Sequence, residues 1–140
     1  MGESNLHIFL KKRAIDYLSQ EGYFTYLEPA WSPVSYVQWQ NYRPDILGVK
    51  IHPTCSEYAF VECETRPRLE RISKKKTASI TLQSKLTGPT HLRLILAVPT
   101  GTLRALNMRV RRRWEIWIID QISGAINKID RVNKRTADAV

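Results

Sequence analysis

The sequence predicts an α/β (α+β) domain in which a central mixed β-sheet is flanked by helices, with elements in the order α-β-β-β-α-β-α-β. Three observations predict it. Apolar residues recur at helical steps near the N-terminus, several later runs have the length and composition of strands, and two basic helical runs separate the later strands from one another. With 140 residues, 43% of them apolar, the chain is long enough for one compact domain and too short to argue for two. A single domain over 1–140 is expected, ending in a polar tail from about residue 131.

The first helix is expected from Leu6 to Leu18, where Leu6, Phe9, Leu10, Ala14, Tyr17 and Leu18 recur at three- and four-residue steps and form one apolar stripe. Ser4 or Asn5 can cap it, and Gly22 can stop it. "YFTYLEP" reads as a strand ended by Pro29, before the aromatic-rich loop "AWSPVSYVQWQNY". "PDILGVKI" and "EYAFVECET" are strands separated by "HPTCS", an insert of the right length for an antiparallel hairpin. Pro67 suits the first turn of a second helix, which "RLERISKKKTASITLQSKL" carries until Gly88 and Pro89. "HLRLILAVP" is a strand, "TLRALNMRVRRR" a basic helix with Leu103, Leu106 and Val110 inward, and "WEIWIID" another strand. "AINKIDRVNKRTADAV" is expected to add an edge strand before the tail.

Charge narrows the choice of partner. Lys and Arg number 22 against 13 acids, which favours a polyanion, nucleic acid ahead of a membrane surface; a basic structural or assembly protein is the other class. No run approaches the roughly 18 apolar residues of a membrane span, and "MGESNLHIF" lacks the charged-then-apolar pattern of a signal sequence, so a cytoplasmic protein is expected. Cys55 and Cys63 have neither CxxC spacing nor paired histidines, so neither a zinc site nor a disulfide framework is indicated.

Against that basic background, "AFVECETRP" places Glu62 and Glu64 one residue apart in a strand, where alternation sets both on one face and Val61, Cys63 and Thr65 on the other. Two like charges on a half-buried strand repel each other and resist desolvation, so they need a cation or a donor network. Asp45 opens the preceding strand, and pairing through the hairpin can bring it beside Glu62. Three hard oxygen donors without histidine suit Mg²⁺ or Mn²⁺ rather than zinc.

Pro44-Asp45 on one strand, Glu62-x-Glu64 on the next, and the order of the flanking elements resemble the PD-(D/E)xK nuclease superfamily, which includes restriction endonucleases and archaeal Holliday-junction resolvases. The resemblance spans roughly residues 1 to 100 and implies a restriction-endonuclease-like core. It implies that Asp45 and Glu62 are metal ligands and that Glu64 stands where the superfamily carries a lysine. An acid there can be a third ligand or a general base, but it cannot supply the lysine's positive charge. Lys74, Lys75 or Lys76 on the next helix are candidates to supply it; Lys50, an odd number of residues from Asp45, falls on the opposite strand face. Glu3 is the candidate for an additional catalytic acid from the first helix, although an acid near a helix start is also a routine partner of the helix dipole. His7, one turn on, could assist, and Glu21 is expected to be solvated.

The basic residues divide into two groups. Arg66, Arg68, Arg71, Lys74, Lys75 and Lys76 follow the acidic strand and can hold phosphate near a helix start, with a solvated helix face as the alternative. Arg111, Arg112 and Arg113 form a second group suited to a more distant phosphate. Trp31, Tyr36, Trp39 and Tyr42 lie in the loop before Asp45 and could touch unpaired bases, form a dimer contact or pack in the core. The expectation is a Mg²⁺- or Mn²⁺-dependent DNA endonuclease, structure-specific or resolvase-like and working as a homodimer. Two alternatives stand beside it: a non-cutting nucleic-acid-binding module on the same fold, and the basic structural or assembly protein.

Overall fold

A computed structural model describes residues 3–29, 43–66, 72, 90–102, 106 and 108–131. Helix α1 runs Asn5–Gln20 and is capped as expected, the Ser4 hydroxyl accepting the His7 amide at 3.1 Å. It stops at Glu21 and Gly22, the latter at φ +94°, a left-handed conformation that glycine adopts without a side-chain clash. Strands β1 (Phe24–Leu27), β2 (Ile46–Ile51), β3 (Ser56–Cys63), β4 (Thr90–Pro99), β5 (Glu115–Ile119) and β6 (Ile126–Ile129) form one sheet in sequence order. A short helix, α2 (Met108–Arg113), precedes β5.

The β2–β3 hairpin is antiparallel, as are β1–β2 and β5–β6, whereas β3–β4 and β4–β5 are parallel. Parallel neighbours need a crossover, and α2 lies in the one between β4 and β5. The expected helix over residues 67–88 would fill the other; apart from buried, helical Ile72 it lies outside the described residues, as do the aromatic loop, Leu103 and residues 132–140. The result is the mixed six-stranded α+β architecture expected from the sequence, consistent with a restriction-endonuclease-like core, with β6 as the edge strand.

Alternation along the strands divides the core between the two faces of the sheet. Leu10, Ala14 and Leu18 of α1 pack on Ile46, Ala59, Val61, Cys63, Ile95 and Ala97. Leu47, Phe60, Leu94, Leu96 and Val98 face the other way, against Ile72, Val110 and Trp114. Gly48 sits at a close approach: a Cβ there would lie 3.1 Å from the Tyr23 ring and 3.3 Å from the Ala59 Cβ, tighter than an ordinary contact. Because β3, β4 and β5 are parallel, their carboxyl ends share one end of the sheet, and β2 begins beside the end of β3. Ligand sites of α/β sheets favour that end.

Candidate active site at the carboxyl end of β3

The buried charged residues among those described are Lys11, Glu62 and Glu64, at 5%, 1% and 4% exposure. Charged side chains are rarely buried without a compensating partner, so their gathering at one end of the molecule marks that end. Phe60 belongs to the core opposite α1, while Val61 and Cys63 face α1, so the strand period sets Glu62 on the face of Phe60. The ladder continues past the strand, the Glu64 amide donating to the Ala97 carbonyl at 2.9 Å, which keeps Glu64 in phase with Glu62.

Asp45 meets them across the hairpin. Ile46 pairs with Val61, and one further step of the same register sets Asp45 opposite Glu62. Its Oδ2 accepts the Cys63 amide at 2.9 Å, and its carbonyl accepts the Glu28 amide at 2.7 Å. The residue is thereby tied to both neighbouring strands.

Helix α1 and the residue before its cap add three polar side chains at four-residue spacing, Glu3, His7 and Lys11. Glu3 Oε1 lies 2.9 Å from His7 Nδ1, and His7 Nε2 lies 3.5 Å from Asp45 Oδ2. Lys11 reaches Glu3 and, at 3.1 Å, Glu28. Burial alone would lower the Lys11 pKa, but the hydrogen bonds to Glu3 and Glu28 outweigh it and hold the ammonium above its ordinary value. The Glu3 carboxyl is lowered, chiefly by Lys11. Burial pushes the Cys63 thiol well up, and the charges of Asp45, Glu62 and Glu64 add to that while Lys11 opposes them.

The donor chemistry fits a hard divalent cation: the buried acids at this end, Glu62 and Glu64, and Asp45 beside them offer carboxylate oxygens. The side chains do not form a ready cage. Among the described residues no group of three or more His, Cys, Asp or Glu is arranged to hold a metal ion.

Other expected site residues are distributed as follows. Arg66 is exposed just beyond Glu64, while Arg68, Arg71, Lys74, Lys75 and Lys76 lie outside the described residues. Arg111, Arg112 and Arg113 form the last turn of α2, at the amino end of β5 rather than beside the acids. Lys50 lies away from the acids, pairing in register with Glu57 and holding its Nζ 4.4 Å from the Tyr23 ring centroid. Glu21 is not simply solvated: it approaches Lys128 at 3.3 Å and Arg93 at 3.6 Å. Lys11 and Glu28 were not expected at the site. Lys11 carried a readable signal, since it falls three residues before Ala14 and seven before Leu18, on the core-facing stripe.

No protein-family model matches this chain, and no curated protein is significantly similar to it. Among solved structures, an XisH family protein from Nostoc punctiforme superposes with a TM-score of 0.52 at 12% identity, over 87% of this chain and 99% of that one. At such low identity the likeness extends to the fold. No helix among the described residues is long and apolar enough to cross a membrane.

Proposed function

We propose that this protein is a divalent-metal-dependent endonuclease acting on DNA, of the PD-(D/E)xK type, with Glu64 in the usual lysine position. One observation carries the reading: two glutamates of one strand face, Glu62 and Glu64, are buried at the carboxyl end of a parallel strand, and the register sets Asp45 opposite the first of them. Burial of like charges is costly, and a bound cation offsets it. Asp45, Glu62 and Glu64 would hold Mg²⁺ or Mn²⁺, which when bound lowers the pKa of water and offsets charge on the phosphodiester. The Cys63 amide orients the Asp45 carboxylate, and Glu64 serves as third ligand or as base toward the attacking water. Arg66, with the basic residues that follow it, holds the backbone phosphates and counters the repulsion of the acids. A homodimer would present one such site to each strand of a duplex, and the cytoplasm is the compartment such a substrate implies.

The lack of a ready metal cage among the described residues favours a second reading, a nucleic-acid-binding module on the same fold that does not cut. One experiment separates the two. Supercoiled, branched and single-stranded DNA are incubated with the protein with and without Mg²⁺ or Mn²⁺. Nicking that requires metal supports the endonuclease; salt-sensitive binding with no cleavage in either metal supports the binding module.

A further inference from the structure

We propose that Lys11 is a positioning residue of this site, one that ties Asp45 in place through two arms. The inference rests on the nuclease reading and adds to it a residue outside the acidic motif. The first arm runs from Lys11 Nζ to the Glu28 carboxylate at 3.1 Å, and from the Glu28 amide to the Asp45 carbonyl at 2.7 Å. The second runs from Lys11 to Glu3, from Glu3 to His7 Nδ1 at 2.9 Å, and from His7 Nε2 to Asp45 Oδ2 at 3.5 Å. Both arms begin at one ammonium and end on one residue, at its backbone in the first case and its carboxylate in the second.

Two further features support this role. An ammonium with 6% side-chain exposure is costly to bury, and a lysine whose only task was an ion pair could form it at the surface, where the same contact avoids desolvation. Glu28 sits at φ +44°, in the left-handed region that non-glycine residues seldom adopt. Such strain persists where the surroundings impose it, often at functional sites. Here the strained residue is the one that bonds Lys11 with its side chain and Asp45 with its backbone.

The test uses the full chain with saturating Mg²⁺ or Mn²⁺ and a labelled duplex, and reads the single-turnover cleavage rate at saturating DNA, the DNA dissociation constant and the melting temperature. Lys11→Gln keeps a hydrogen-bond donor and loses the charge. It should slow cleavage by roughly 10²-fold, the upper scale for losing a contact that orients a metal ligand, while DNA affinity stays within about threefold, since the phosphate-binding residues are untouched. Lys11→Arg should stay within about tenfold of the parent, because charge and donors remain. The double variant Lys11→Met with Glu28→Gln removes the ammonium together with the charge of one of its two carboxylate partners; its melting temperature should exceed that of Lys11→Met alone while its cleavage stays slow. Parental cleavage by Lys11→Gln, or restored cleavage in the double variant, would overturn the inference and leave the nuclease reading standing. A parent protein that cuts in neither metal removes the nuclease reading itself, and this role of Lys11 with it.

Discussion

The Cys63 amide and the Asp45 carboxylate are joined by a 2.9 Å hydrogen bond that crosses the hairpin at its open end. It occupies one oxygen of Asp45, whose backbone the hairpin register sets opposite Glu62. Asp45→Asn keeps an oxygen that can accept this bond, so stability should stay near that of the parent. Asp45→Ala leaves the amide without its partner and should cost about 1–3 kcal/mol, read by chemical denaturation. Both variants should lose metal-dependent cleavage. Retained nicking by Asp45→Ala would exclude it from the ligand set.

Glu62 is the most deeply buried acid at the site. Its replacement by alanine should abolish cleavage yet leave DNA binding intact or tighter, because a negative charge that repels phosphate is gone. Fluorescence anisotropy measures the binding and plasmid nicking the cleavage. A parallel loss of both would point to a structural role.

Toward the other end of β3, Glu57 offers a pH test independent of the acids. Desolvation alone would raise its pKa, but hydrogen bonds from Tyr23 and His52, with the nearby charges of Lys50 and His52, more than offset it and leave the carboxyl below its ordinary value. Tyr23 donates to Glu57 Oε2 at 2.9 Å, and His52 Nε2 lies 3.2 Å from Oε1. A carboxyl with a depressed folded pKa contributes stability that is fully present above its unfolded value of about 4.5 and is lost as pH falls through the folded value. The melting temperature should therefore fall below pH ~4.5, and Glu57→Gln should flatten that fall. An identical acid limb in parent and variant would show that Glu57 is not linked to folding.

Local signals carried much of the fold. The three- and four-residue stripe of α1, the Ser4 cap, the Gly22 stop and the β2–β3 hairpin through "HPTCS" each depend on neighbours in sequence, and each appears in the structure. What sequence reading missed depends on distant partners. Lys11 looks like one more basic residue of "LKKR" until Glu28, 17 residues away, meets it under the end of β1. Glu21 looks solvated until Lys128, 107 residues away, reaches it from β6. The pairing of Asp45 with Glu62 was legible because hairpin register is local; the positions of their carboxylates were not, because side-chain rotation at the end of a strand leaves no sequence pattern.

Glu64 permits the sharpest separation of the two functional readings, because its substitutions move activity in opposite directions. If Glu64 is a working ligand or base, Glu64→Gln keeps the shape, removes the charge and should lower cleavage by roughly 10²-fold or more. Glu64→Lys should then be at least as damaging, since it replaces an oxygen donor with a cation beside Glu62. If the module does not cut because the acid displaces a lysine, Glu64→Lys should instead create activity that the parent lacks, and Glu64→Gln should change nothing. Assays of both variants beside the parent, at equal folded concentration across a Mg²⁺ titration, distinguish the cases. A parent that cuts while Glu64→Gln cuts equally well would remove Glu64 from the chemistry and leave Asp45 and Glu62 as the metal-binding pair.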